Sequence, residues 1–365
     1  MSAVSPQAVT LSFRLGGADG VAVEARKWAA ALADLGFATR RIAGAIEDGG
    51  APDDVVLPGL AIGAPVAPSI AELAEALDGA DLVIVDNLCS LPLNPDAADA
   101  VARATEAHGG RICFRHHDLP WQRRHLAHLE DRFPPRIDSA LHATINLRSR
   151  RELEARGYER AVTVHNYFDL DPALGDRAAT RRALGFADDD LVCFHPARAI
   201  ERKNVPGGLR FASRLATLVG DRPVRYWLSG PAEDGYGPTL DRLLAATDVP
   251  VTMGRVTVAD GYAASDLVVF PSTWEGFGNP IIESIAHRRP CAAAPYPVLA
   301  EILATGIRTL STEHPEQVAR FLARSPAEQE HALAVNRRRA GFSFDIAELP
   351  AAIDAAFRRV GWTTW

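Results

Sequence analysis

"DLVVFPSTWEGFGNPIIES", residues 266–284, opens on an apolar run, passes through a loop with two glycines and closes on helical spacing. A short β-like run, a glycine loop and a helix together form the repeating unit of a parallel sheet covered by helices. Asn279-Pro280 reads as a helix cap followed by proline at the first helical position. A cap accounts for those two residues without any function. It does not account for Glu275 in the loop Glu275-Gly276-Phe277-Gly278, and Glu283 falls one residue past the position a capping box uses. With one carboxylate before the helix and one just over a turn inside it, both can face a ligand at the helix N-terminus. The carboxylates would take neutral hydroxyls while backbone amides meet an anion. A sugar nucleotide carries both kinds of group.

Outward from this stretch the same alternation runs almost end to end. Strands are expected at "VTLSF", "ATRRIAG", "DLVIVD", "RICFRHH", "LHATINL" and "AVTVHNY" in the first half. A second series is expected at "LVCFH", "VRYWLSG", "VPVTMG", "DLVVFPS", "CAAAP" and "IRTLS". Between the first two strands, Val21, Ala25, Trp28, Leu32 and Leu35 recur at helical spacing, and Asp19 is placed to cap the helix. From Asp169 to Asp190 the chain turns polar and Ala-rich, as an inter-domain connection does. The expected fold is therefore α/β, with two Rossmann-like domains facing one another across a cleft, at 1–168 and 191–342, joined by a linker at 169–190. Ligands of such sheets sit beyond the carboxyl ends of the strands.

Length and composition fit this. The chain's 365 residues exceed one ordinary core. A net charge of -7 and the lack of a long Lys/Arg block make nucleic acid a poor partner. The apolar runs are short and bounded by charge, so no transmembrane segment is expected. The first residues lack a basic region ahead of an apolar stretch, so no signal peptide is expected either. Cys89, Cys113, Cys193 and Cys291 lie far apart without C-x-x-C spacing and read as core residues of a cytoplasmic protein.

The loops after the strands hold the candidates. "RLGGADGV" places Gly16 and Gly17 where a backbone can approach a ligand closely, although a tight turn needs the same residues and G-x-G-x-x-G is missing. After "RICFR" come His116, His117 and Asp118, then Pro120, Trp121 and Arg123. A metal at the histidines would need further ligands, and none has a readable spacing. Asp188-Asp189-Asp190 formally contains D-x-D but reads as a solvated turn. After "LVCFH", Arg198 and Lys203 lie five apart with Arg202 beside the lysine. Such a cationic cluster at the mouth of a helix suits a phosphate, and a solvated basic turn has the same composition.

"EGFGNPIIE", as Glu-x7-Glu, with "RAIERKN" about seventy-five residues upstream and "GGADGV" near the start, resembles the GT-B-fold retaining glycosyltransferases of the family-4 type. The resemblance covers nearly the whole chain. It implies that Arg198 and Lys203 hold the donor diphosphate, that Glu275 contacts the donor sugar and that Glu283 binds the ribose. Gly276, Phe277, Gly278 and Asn279 support sugar and phosphate, Gly16 and Gly17 close on the phosphates, and the donor base sits near "VTMGRV" and the loop after Leu228-Ser229-Gly230. The first-domain histidine beside the transferred sugar is matched to His117, which Asp118 follows directly, with His116 as the alternative. Acceptors of such enzymes lie on the first domain, where Asn87, Ser90, Asn94, His116, Trp121 and Arg123 are the candidates. The family's last helix crosses back to the first domain, which here concerns residues 343–365.

The resemblance further implies transfer by positioning and charge, with no protein nucleophile, no cofactor and no essential divalent metal. Two departures stand out, Ala197 and Asn204 where the family often has glycine. "DGVAVEARKW", "DNLCSLPLN" and "HHDLPWQRR" look like a bacterial branch acting on soluble carbohydrates. On that likeness the donor is GDP-mannose and the acceptor a mannoside or methylated mannose polysaccharide. UDP-glucose is the alternative donor, and a sugar-nucleotide epimerase the alternative of another class.

Overall fold

The structure, a computed structural model, describes residues 5–17 and 19–362. The chain divides into two compact units, Met1–Asn166 with Ala347–Trp365, and Tyr167–Ile346. Each is built on a parallel sheet, as the alternating pattern predicts.

In the first unit the strands are β1 (Gln7–Ser12), β2 (Ala38–Ala43), β3 (Val55–Val56), β4 (Leu82–Asp86), β5 (Arg111–His116), β6 (Leu141–Thr144) and β7 (Ala161–Thr163). Their order is β3-β2-β1-β4-β5-β6-β7. Ala8 of β1 lies opposite Thr39 on one side and Leu82 on the other, so β1 and β4 form the switch point where strand order reverses. β4 is buried from end to end because helices cover both faces, which is why its sequence is a continuous apolar run rather than an alternating one. Helix Gly20–Asp34 starts where the Asp19 carboxylate accepts the amides of Val21 at 3.0 Å and Ala22 at 3.2 Å. Its Ala22, Ala25, Trp28, Ala31 and Leu32 are buried, and it packs on helix Leu349–Arg359 from the far end of the chain.

In the second unit the strands are β8 (Leu191–His195), β9 (Val224–Leu228), β10 (Val251–Met253), β11 (Leu267–Phe270), β12 (Cys291–Ala293) and β13 (Leu310–Ser311), in the order β10-β9-β8-β11-β12-β13. The switch point lies between β8 and β11. Residues 169–190 fold as part of this unit. Helix Arg177–Ala183 ties them down, with Arg177 and Arg181 paired to Asp266 at 2.7 and 3.3 Å. Asp190 is no solvated turn residue. It is buried, accepts the Ala187 amide at 2.8 Å and pairs with Arg225 at 3.1 Å.

All four cysteines are buried free thiols, and burial pushes Cys113 and Cys291 up to about 12. Among the described residues no helix is long and apolar enough to cross a membrane.

Candidate functional site

The second unit brings two of the expected residues, Glu275 and Lys203, together with Arg202 at the carboxyl ends of β8 and β11. Glu275, in the loop after β11, is buried, and its two oxygens are shared out between two cations. Lys203 Nζ lies 2.6 Å from Oε1, and Arg202 Nη1 lies 2.7 Å from Oε2. Burial alone would raise this carboxyl, but Lys203 and Arg202 outweigh it and hold the acid down at about 2. Burial lowers the Lys203 ammonium, with Glu275 opposing the shift. Arg202, read from sequence only as a companion of Lys203, is therefore a full partner of Glu275.

Asn204 follows in the left-handed region, at φ 51° and ψ 51°. Glycine takes that conformation without strain, and asparagine is among the few other residues that visit it routinely. The side chain then serves the turn twice. Its Oδ1 accepts the Gly207 amide at 3.1 Å, capping helix Val205–Ala216, and its Nδ2 donates to Pro271 O at 3.0 Å. This gives a physical reason for asparagine where the resembling family often has glycine.

The loop after Glu275 is built differently from the expectation. Helix Asn279–Ala286 has Gly278, not Asn279, at its cap position, with φ 126° and no side-chain cap bond. A Cβ on Gly278 would sit 2.1 Å from the Tyr296 hydroxyl, which donates to Phe277 O at 2.8 Å. The Phe277 ring is buried against Phe168 and Phe344, so the residue anchors the loop and its carbonyl is already engaged. Glu283 accepts the Tyr262 hydroxyl at 2.7 Å, and burial together with Glu283 keeps that phenol protonated.

Arg198 stands apart from this cluster. It is exposed, with Nη1 2.5 Å from Glu233 Oε2. Gly230 donates its amide to Ala197 O at 3.0 Å, and a Cβ there would meet Arg198 Cα at 2.7 Å. Gly230 thus lets two loops meet. His195, at the end of β8, is fully buried with Nδ1 2.6 Å from the Tyr226 hydroxyl. Burial, then the Lys203 charge, lowers it to about 3 and keeps it neutral. Only its place as the last residue of "LVCFH" hinted at it.

In the first unit, alternation along β5 separates the two histidines. His116 turns inward, where its Nε2 lies 3.0 Å from His142 Nδ1 and the rings stack. Burial drives it well below its usual range, and it is a core residue rather than an exposed acceptor ligand. His117 faces the other way, with Nε2 2.8 Å from Asp86 Oδ1 at the end of β4. Asp86 also receives Arg115 at 3.1 Å, Arg115 lies 3.5 Å from Glu24, and Glu24 pairs with Lys27 at 2.6 Å. Burial would raise the Asp86 carboxyl, but Arg115 and His117 bring it below its ordinary value. Sequence reading missed Asp86, Arg115 and Glu24; the available signal was an acid closing an otherwise apolar strand.

Asn87, at φ 61°, accepts the His117 amide and the Ser90 hydroxyl, both at 3.2 Å. These residues steady the histidine. Asn94 is used internally: it caps helix Pro95–His108 through the Ala97 amide and donates to Gly59 O and Ala61 O. The Trp121 indole N–H donates to Glu152 at 2.8 Å, its ring packs near Leu119 and Leu153, and the Arg156 guanidinium lies over it at 3.9 Å. Arg123 pairs with Asp118 at 2.7 Å. Gly16, at φ 80°, and Gly17 lie against acidic neighbours, since a Cβ at Gly17 would meet the Glu47 carboxylate at 2.4 Å and one at Gly16 would meet Asp48 at 2.7 Å. Among the described residues no group of three or more His, Cys, Asp or Glu side chains is placed to hold a metal ion.

Residues 193–325 match the model of the family described as glycosyl transferases group 1. Mannosylglucosylglycerate synthase of Thermotoga maritima is 27% identical over 272 residues, which cover 66% of this chain and 63% of that protein. The enzyme of the same name from Petrotoga mobilis is 24% identical over 80% of this chain and 83% of its own length. Among solved structures, Anabaena HepE in complex with UDP and glucose superposes with a TM-score of 0.70 at 17% identity, covering 97% of this chain and all of that one. Two parallel sheets of Rossmann order and the likeness to HepE give the chain the GT-B fold, with a segment that matches glycosyl transferases group 1 across the switch point of the second sheet.

Proposed function

We propose that the chain transfers a hexose from a nucleotide sugar to a carbohydrate hydroxyl with retention at the anomeric carbon, the donor being GDP-mannose and the acceptor a mannoside or methylated mannose polysaccharide. The observation that carries the donor site is the Glu275 carboxylate bound by Lys203 and Arg202 at the carboxyl ends of β8 and β11. In this reading Lys203 and Arg198 meet the diphosphate, Glu275 takes a hydroxyl of the sugar, and Glu283 takes the ribose. His117, held by Asp86, is read as the histidine beside the transferred sugar.

The bond from the anomeric carbon to the diphosphate breaks as the bond to the acceptor oxygen forms on the same face. The acceptor proton passes to an oxygen of the departing diphosphate, so no protein nucleophile is needed. Lys and Arg supply the positive charge that a leaving diphosphate requires. Transfer is then expected to persist in excess EDTA, and complete loss restored by magnesium or manganese would overturn that part. Reaction in the cytoplasm is part of the same reading.

The mannosyl donor is supported by the mannosyl group in the product named for the two relatives. UDP-glucose is the second reading, favoured by the UDP and glucose bound to HepE. A panel of GDP and UDP sugars in a thermal-shift assay separates them, because a ligand that binds the native state raises its apparent stability. GDP-mannose is expected to give the largest shift, and transfer to a mannoside should give an α-linked product by NMR. A larger shift with UDP-glucose would move the donor to the second reading. Epimer formation without acceptor would replace transfer with isomerisation.

A further inference from the structure

The short turn Glu201–Lys203 delivers two cations to one carboxylate, and the two are not equivalent. Lys203 reaches only Glu275 Oε1 among the side-chain acceptors of the loop after β11, at 2.6 Å. Arg202 is bound into that loop at several points. Its Nη1 donates to Glu275 Oε2 at 2.7 Å and to Trp274 O at 3.2 Å, while its own carbonyl accepts the Thr273 amide at 2.9 Å and the Thr273 hydroxyl at 3.3 Å. A guanidinium in this position fixes the direction of the carboxylate as well as its charge.

Charge arithmetic gives the second half of the argument. Glu275 and Lys203 alone sum to zero, and an anionic ligand would then compete with Glu275 for the lysine. With Arg202 the group carries a net +1. A lysine ammonium has three N–H groups, of which one points at Glu275.

We propose that Arg202 is a positioning residue of the donor site: it holds Glu275 in place for a sugar hydroxyl and keeps Lys203 available to the diphosphate of the nucleotide sugar. This rests on the donor-site reading above. The fixed arginine satisfies the carboxylate permanently, so that the lysine need not choose between Glu275 and the substrate. Arg202 would act on turnover through Glu275 and on nucleotide affinity through Lys203.

The test compares Arg202→Gln, Arg202→Lys, Lys203→Ala, Glu275→Gln and the Arg202→Gln/Glu275→Gln pair, with GDP and UDP titrated by calorimetry and transfer measured at steady state. Arg202→Gln is expected to weaken the preferred diphosphate about tenfold and to lower kcat further. Arg202→Lys returns the charge, so affinity recovers to within about threefold, but kcat stays low because one ammonium does not reproduce the fork on Glu275 and Trp274. In the Glu275→Gln background, Arg202→Gln should change kcat little, since the group it positions is gone. Wild-type affinity and kcat in Arg202→Gln, equal losses in the Gln and Lys variants, or full additivity with Glu275→Gln would each overturn the proposal.

Lys203→Ala separates the two levels. If it binds GDP and UDP as the wild type does, the donor-site reading fails. If it loses binding while Arg202→Gln is unaffected, only the role of Arg202 fails. Should Arg202→Gln melt below the assay temperature, Arg202→Lys decides alone: lowered kcat at kept affinity supports the proposal, and unchanged kcat overturns it.

Discussion

His117 Nε2 lies 2.8 Å from Asp86 Oδ1, and the same carboxylate receives Arg115 from inside the sheet. The histidine is held from beneath while its backbone amide is held by Asn87. His117→Ala removes the end of this chain and should lower kcat by about a hundredfold with little change in melting temperature, within the range for a single positioned histidine. Asp86→Asn leaves Glu24, at 3.5 Å, as the acidic partner of the buried Arg115, so it should also cost about 3 kcal/mol in stability. Steady-state kinetics with calorimetric melting distinguishes the two, and an unchanged kcat in His117→Ala removes it from the chemistry.

Glu275 and Glu283 should part company. Glu275→Gln takes a negative charge away from Lys203 and Arg202, so free GDP or UDP should bind at least as tightly as in the wild type while transfer falls by about two orders of magnitude. Glu283→Ala should weaken the nucleotide itself. Isothermal titration alongside turnover checks this, and equal effects of both variants on diphosphate binding would show the roles to be divided wrongly.

The carbonyl–hydroxyl bond between Phe277 and Tyr296 makes Gly278 a sensitive position. Gly278→Ala combines a left-handed φ with a Cβ 2.1 Å from the hydroxyl, and should cost about 2–3 kcal/mol. Adding Tyr296→Phe removes the closest atom and should return part of that loss. A double variant no more stable than Gly278→Ala would place the whole cost in the backbone.

Trp121 is an acceptor candidate whose N–H and ring are engaged within its own unit. With its N–H on Glu152 and Arg156 over the ring, Trp121→Ala should lose about 3 kcal/mol of stability and leave the acceptor KM where it was. A raised acceptor KM at unchanged stability would return it to the acceptor site.

Acid sensitivity follows from histidines buried in neutral form. His142 and His195 are each lowered to about 3 by burial, and His116 is lowered well below its ordinary value for the same reason. Their contribution to stability is full above the unfolded value near 6.5 and is lost as pH falls from there toward the folded values, because the unfolded chain then binds protons that the folded one does not. Glu275, depressed to about 2, adds a further loss below pH ~4.5. Melting temperature measured from pH 8 to pH 4 should begin to fall near pH 6.5, before carboxylates titrate. A flat profile down to pH 5 would show that the three rings gain protons without cost.

What could be read from the letters divides along physical lines. Strands such as "DLVIVD" and "DLVVF" were legible because a parallel strand covered on both faces must be apolar throughout. β3 escaped notice because Val55–Val56 is two residues long within a Pro- and Gly-rich stretch. The turn "RAIERKN" was legible as cationic, but its bond to Glu275 joins residues 72 and 73 apart and cannot be inferred from spacing. The same holds for Asp86 and His117, 31 apart. The different surroundings of His116 and His117 follow from the alternation of side chains at the end of β5. The bonds of Asn94 to Gly59, of Trp121 to Glu152 and the close approach of Gly230 to Arg198 likewise join residues far apart in the chain and cannot be inferred from spacing.

The first unit takes its closing helix, Leu349–Arg359, from beyond the whole of the second. During synthesis the helix Gly20–Asp34 therefore waits for its partner until residues 349–359 have been made. The second unit, continuous from Tyr167 to Ile346, can reach its native form earlier. Translation order and folding order are thus opposed in this chain: the half made first is the half finished last.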